Sequence, residues 1–235
     1  MSRHIELTPR LRMVADLIPD GARLADIGTD HAYLPAALIL EGKIPTAIAA
    51  DLRQGPLSRA KETVRECGLT EKVAFRLCNG LVGIRSDETD AVAIAGMGGE
   101  TIAEILKAAP WTRKLGIPLV LQPMSSMEDL RVWLEENGYA ILREELAREG
   151  ETIYTALLVR AGEMAPLSPA ERWAGKNCNH PLRGAWLDHW LNKTSRALEG
   201  LSKAKQEGLE VRRERLEQVH NGLLDMKKEW ESWQP

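Results

Sequence analysis

The sequence is poor in cysteine, in long apolar runs and in net charge, and each shortage removes a class of protein. Its 235 residues include only Cys67, Cys78 and Cys178. These form no CxxC pair and are odd in number, so neither a disulfide framework nor a zinc knuckle is expected, and they read as apolar fillers. No window approaches 18 uninterrupted apolar residues, and MSRHIELTPR lacks the apolar core of a signal peptide, so no membrane association is expected. A formal net charge of −3 argues against an indiscriminate nucleic-acid coat. The charge is uneven: residues 1–160 carry 19 basic and 23 acidic side chains, residues 161–235 carry 12 and 11. The hydrophobic fraction of 44% is enough to bury a core, which excludes disorder and coil-only architectures. A cytoplasmic protein of one full domain plus an appendage is the expectation, divided as 1–162 and 163–235.

Short apolar runs alternate with helix-like stretches up to about residue 137, which predicts a parallel sheet covered on both faces. Strands are read at 23–28, 46–51, 73–79, 91–96 and 119–122, with helices at 33–41, 56–66, 101–109 and 127–137. A leading helix spans 9–18, with Thr8 as N-cap and Pro9 in its first turn. Beyond the fifth strand the period changes: Tyr139–Glu145 and Thr152–Arg160 are extended runs joined by Arg148-Glu149-Gly150-Glu151, a hairpin signal. The fold class is therefore α/β and Rossmann-like, a mainly parallel seven-stranded sheet with an antiparallel last strand. Class I methyltransferases use this arrangement, whereas dinucleotide dehydrogenases keep six parallel strands.

The second region opens at Pro166-Leu167-Ser168-Pro169, where Ser168 can cap a short helix, and 177–181 reads as a loop. From Leu182 to Trp230 there is no proline. Leu187, Trp190, Thr194, Ala197, Leu201, Ala204, Gly208 and Val211 follow heptad spacing. Leu216, Val219, Leu223, Met226, Trp230 and Trp233 continue it one position out of phase. The slip and the glycine predict a break near 206–209 and a C-terminal helical coiled-coil hairpin. A single bent helix is the alternative.

The segment Asp26-Ile27-Gly28-Thr29-Asp30-His31-Ala32-Tyr33-Leu34-Pro35 leaves a strand, turns and enters a helix. It stands where a dinucleotide fingerprint would, yet Asp30 and Tyr33 replace its second and third glycines. A carboxylate there repels a pyrophosphate and suits a cofactor bearing an ammonium and a sulfonium, which is S-adenosylmethionine. Asp26 and Asp30 would bracket its methionine end, and Gly28 would let the backbone pass close to it. Asp51, 23 residues after Gly28, ends the second strand where a carboxylate accepts from ribose hydroxyls. Asn79-Gly80 is placed to meet the adenine or is a plain turn, with Leu52 and Leu81 as apolar faces. Gly96-Met97-Gly98-Gly99 and Leu121-Gln122-Pro123-Met124 end the fourth and fifth strands at the same crevice. No metal site is expected.

Together, Thr8-Pro9-Arg10-Leu11, the 26–35 segment, Gly96-Met97-Gly98-Gly99 and Leu121-Gln122-Pro123 resemble the TrmK family of bacterial tRNA N1-methyltransferases that modify adenine 22. The resemblance covers essentially the whole chain, since that family joins a class I methyltransferase domain to a coiled-coil arm. One departure is Met124, where the family commonly has Asn after Gln-Pro.

The resemblance implies methyl transfer to N1 of an adenine in tRNA. Asp30, His31 and Gln122 are then the candidates to accept the N6 proton, and Arg10, Tyr33 and Pro123 the candidates for substrate contact. Enzymes that methylate exocyclic N6 use an Asn/Asp-Pro-Pro-aromatic loop, which Gly96-Met97-Gly98-Gly99 is not. Arg10, Arg12, Arg196, Lys203, Lys205, Arg212, Arg213 and Arg215 are candidate phosphate ligands, though on the arm they alternate with glutamates as a solvated face would. Two other readings stay open: a methyltransferase for another RNA or a small molecule, and a non-catalytic cofactor-binding scaffold. A monomer is the expected state.

Overall fold

The computed structural model describes residues 5–203 and 208–234. Seven strands form one sheet in the order β3-β2-β1-β4-β5-β7-β6. They are β1 (Leu24–Ile27), β2 (Ala47–Asp51), β3 (Val73–Leu77), β4 (Ala91–Gly98), β5 (Leu119–Ser125), β6 (Tyr139–Glu149) and β7 (Thr152–Ala161). The first five are parallel, and β7 inserts antiparallel between β5 and β6. Glu149 pairs with Thr152, so the β6–β7 turn is only Gly150-Glu151 and both strands run longer than their apolar pattern suggests.

The alternation of side chains along each strand feeds two cores. Leu24, Ala47 and Ala49 point to the face covered by α1 (Pro9–Leu17), α2 (Tyr33–Leu40) and α3 (Gln54–Glu66). Ala25, Ile27, Ile48 and Ala50 point to the opposite face, covered by α4 (Gly99–Lys107) and α6 (Met127–Glu136). Thr8 caps α1 through Leu11 N–H, as its sequence signal predicts. The four-residue α5 (Trp111–Lys114), which Pro110 opens, has too few residues to show a period. Strand order reverses between β1 and β4, which run parallel, so the crevice for a ligand lies at their carboxyl ends.

The glycine run after β4 departs from the expected loop. Residues 96–98 continue the strand with register shifts against β5, and α4 starts at Gly99 rather than at Thr101. A Cβ on Gly99 would collide with the Ser126 carbonyl at the start of α6, so this glycine serves the close packing of α4 on α6.

The appendage holds α7 (Pro169–Ala174), α8 (Arg183–Lys203) and α9 (Glu210–Ser232). Ser168 and Glu171 form a capping box on α7. The break lies between α8 and α9, and Gly208 there takes φ +85°; Ala204 and positions 205–207 lie outside the described residues. Leu187, Trp190, Thr194, Val219, Leu223 and Met226 are buried in the seam. Ala197, Val211 and Trp233 are exposed, contrary to the heptad reading. Only near the root do α7, Met127, Leu146 and Ile153 add a third wall to the two helices. Arg131, fully buried, ties that root to the sheet domain: it donates to the Arg172 and Trp173 carbonyls and to Glu144 at 2.9 Å.

Candidate active site

Where β1, β2 and β4 end, a pocket of about 440 Å³ opens, lined by Asp26, Gly28, Thr29, Asp30, His31 and Tyr33 with Asp51, Arg53, Gly96, Met97 and Arg10. A larger cleft of about 630 Å³ lies between α8 and the β6–β7 tip, but it contains none of the strand-end carboxylates. The strand-end carboxylates Asp26 and Asp51 line the smaller one.

Asp26 is buried at the end of β1. Burial pushes its carboxyl up to about 6, and the negative charge of Asp51 adds to this while Thr29 acts in the opposite direction. The Thr29 hydroxyl is buried without a hydrogen bond of normal geometry. Asp51, also buried, accepts from Arg53 N–H at 2.7 Å, and the Arg53 guanidinium lies 3.7 Å from the same oxygen. Burial and the neighbouring charge of Asp51 make ionised Asp26 costly, and a cationic ligand would relieve it. Gly28 stands at φ +77°, where a Cβ would strike the Met97 methyl group, so the turn admits no side chain. This lining fits an ammonium–sulfonium ligand with a ribose and opposes a diphosphate.

The next turn is strained. His31 and Ala32 both have positive φ, +63° and +54°, an uncommon pair outside glycine. Arg59 of α3 braces it, donating to Asp30 Oδ1 at 2.8 Å and to His31 Nε2 at 3.1 Å, and the His31 ring stacks on exposed Tyr33 at 5.1 Å. No sequence motif signals Arg59; it reaches the turn only because α3 packs beside α2.

Other expected residues fall elsewhere. Gln122 is fully buried: its Oε1 accepts from Arg10 Nη1 at 2.9 Å and Gly96 N–H at 3.1 Å, and its Nε2 donates to the Pro123 carbonyl. It lies behind the pocket wall with its acceptor already in use, so it does not stand where a proton acceptor for the substrate would. Pro123 is buried in β5 and lines neither cavity. Leu81 is core, not a ligand face. Gly80 packs under Ile105, which a Cβ would touch at 2.8 Å. Leu52 and Asn79 are exposed just outside the lining. Arg12 forms a two-pronged ion pair with Glu41 and is committed there. Among the described residues no group of three His, Cys, Asp or Glu side chains is arranged to hold a metal.

A methyltransferase-domain family model matches residues 7–157. The tRNA (adenine(22)-N(1))-methyltransferase of Bacillus subtilis is 40% identical over 159 residues, 68% of this chain and 67% of that protein. The chain belongs to the TrmK family. The crystal structure of B. subtilis TrmK superposes with a TM-score of 0.82 at 33% identity, covering 95% of this chain and all of that one. The TrmK fold is also seen in Streptococcus pneumoniae Sp1610, solved in complex with S-adenosyl-L-methionine, with a TM-score of 0.81 at 33% identity over 94% of this chain and 100% of that chain. These structural matches span the helical arm as well as the sheet domain, which the sequence identity alone does not reach.

Proposed function

We propose that this protein transfers the methyl group of S-adenosylmethionine to N1 of adenine 22 in tRNA. The observation that carries the reading is the pocket of strand-end carboxylates around Gly28 in a chain that matches B. subtilis TrmK over 95% of its length. When bound, S-adenosylmethionine supplies a methyl carbon made electrophilic by its sulfonium. Asp26 and Asp30 would hold the methionine end, Asp51 the ribose hydroxyls, and Leu52 with Asn79 and Gly80 the adenine edge.

The protein's own task is alignment and the exclusion of water. The N1 lone pair of adenine is free once the base is unpaired, and extruding the base costs a few kcal/mol. Tyr33, 43% exposed at the pocket mouth and already stacked on His31, is the surface for the extruded ring. Methylation leaves positive charge on the ring. The outward oxygen of Asp30 offsets that charge and accepts from N6–H. His31, whose Nε2 is taken by Arg59, carries its proton on Nδ1 and supports Tyr33.

In this reading residues 1–162 bind the cofactor and 163–235 form a tRNA-binding arm. Exposed Arg196, Lys203, Arg212 and Arg215 have no carboxylate partner within 4 Å among the described residues and are its phosphate ligands, whereas Arg213 pairs with Glu217. No described helix is long and apolar enough to cross a membrane, and with tRNA as the proposed substrate the cytoplasm is the proposed site of action and a monomer the proposed state.

The test is methylation of a tRNA transcript with labelled cofactor. Label mapping to adenine 22, and lost when uridine replaces it, is the expected result. Label elsewhere, or none, overturns the reading.

A further inference from the structure

Arg10, the second residue of α1, lines the pocket beside Asp26 and Gly28. Its side chain makes no ion pair: among the described residues no carboxylate comes within 4 Å of the guanidinium, although Asp26, Asp30 and Asp51 share the pocket. It is held by neutral groups. The amide of Gln122, buried in β5, takes one Nη1 proton at 2.9 Å, and the ring of Tyr154 lies 5.7 Å from the guanidinium carbon. The amide cannot turn over, because its NH₂ would then face two donors, Arg10 and Gly96 N–H. Gly96, at φ +78°, keeps its Cβ position 3.7 Å from Nη1 and so leaves the guanidinium uncovered.

A glutamate in place of Gln122 would fix Arg10 equally well and cancel its charge. A neutral brace fixes the cation and preserves its charge, with the remaining N–H donors of the fork unspent. Such a group is built for an anion. An amino acid end is a zwitterion, and the carboxylates on the β1 turn answer only its ammonium.

We infer that Arg10 is the anchor for the carboxylate of the cofactor's methionine moiety and that Gln122 is the positioning residue that holds it. This rests on the reading that the pocket takes S-adenosylmethionine. It moves Arg10 from contact with RNA phosphate to contact with cofactor, and Gln122 from proton acceptor to brace.

Calorimetry of the full chain with S-adenosylmethionine and with its decarboxylated form, which keeps sulfonium and ammonium, isolates the one group at issue. The wild type is expected to bind the decarboxylated ligand at least about tenfold more weakly, as loss of one charge-assisted fork implies. In Arg10→Ala the two affinities converge to within about threefold, through weaker binding of the intact ligand alone. Gln122→Glu, which keeps the shape of the brace, narrows the ratio in the same direction, a change that general destabilisation would not produce. Arg10→Lys replaces Arg10→Ala if the latter fails to fold. Equal wild-type affinities, or an undiminished ratio in both Arg10 variants, overturn the inference. An unchanged ratio with lost tRNA binding assigns Arg10 to phosphate instead. If the wild type binds neither ligand, the cofactor reading itself fails.

Discussion

Arg59 Nε donates to His31 Nε2 across 3.1 Å, joining the middle of α3 to the left-handed turn that follows β1. With its second bond to Asp30, one exposed arginine orients two candidate site residues at once. Solvent screening keeps the ion pair itself at about 1 kcal/mol or less. Its value lies in geometry, because misplacement of reacting groups is costly in rate. Arg59→Ala is expected to lower kcat about tenfold and the melting temperature by only a few degrees, roughly. Steady-state kinetics beside a thermal melt checks this; an unaltered kcat would mean the turn holds itself.

Asp26 connects the pocket to pH. Its carboxyl is pushed up to about 6 from 3.8, so ionising it in the folded protein is unfavourable. The cost is absent below pH 4, accrues between 4 and 6, and is complete above 6, on the order of 3 kcal/mol by linkage. Asp26→Asn is therefore expected to be more stable than the wild type at pH 8 and equal to it near pH 4. A cationic ligand favours the ionised form, so wild-type affinity for S-adenosylmethionine rises from pH 5 to 7 while that of Asp26→Asn stays flat and low. Parallel pH profiles for the two proteins would refute the coupling.

Gly28 carries two constraints that can be separated. Its φ of +77° disfavours any L side chain by about 1–2 kcal/mol, and the Met97 methyl occupies the Cβ position. Gly28→Ala is expected to weaken cofactor binding more than tenfold, roughly 1.4 kcal/mol or more. Adding Met97→Ala restores part of this by removing the collision and leaves the backbone strain. No recovery in the double variant would place the whole effect in φ.

At the arm's root, Glu144 is the carboxylate partner of fully buried Arg131. Glu144→Ala leaves a buried cation unpaired, which costs about 3–5 kcal/mol. Denaturant unfolding should show that loss, and replacing both residues by apolar ones should recover much of it. A loss under about 1 kcal/mol would show that the Arg172 and Trp173 carbonyls suffice.

Much was legible along the chain because it depends on neighbours in sequence. The strand runs, the Thr8 and Ser168 caps, the presence of a hairpin around Gly150 and the acidic turn at Asp26–Asp30 are local patterns, set by backbone propensity and by charge a few residues apart. The bulged continuation of β4 through Gly98 was not legible, since glycine runs suit loops and strained strands alike, and only pairing with β5 selects one. Ala197, Val211 and Trp233 were misplaced in the heptad seam for a related reason: the spacing shows which residues share a helix face, not whether a third wall covers it, so Thr194 is buried and Ala197 is not.

Sequence alone determined the strand–turn–helix at Gly28 and the sign of the charge it tolerates, because both follow from residue identity over one short stretch. The tertiary fold decided what lies across from it. Gln122 is 112 residues from Arg10, and Arg59 is 28 from His31. No local rule links such positions; strand order and helix packing bring them within hydrogen-bonding distance, and that distance turns an expected proton acceptor into a brace.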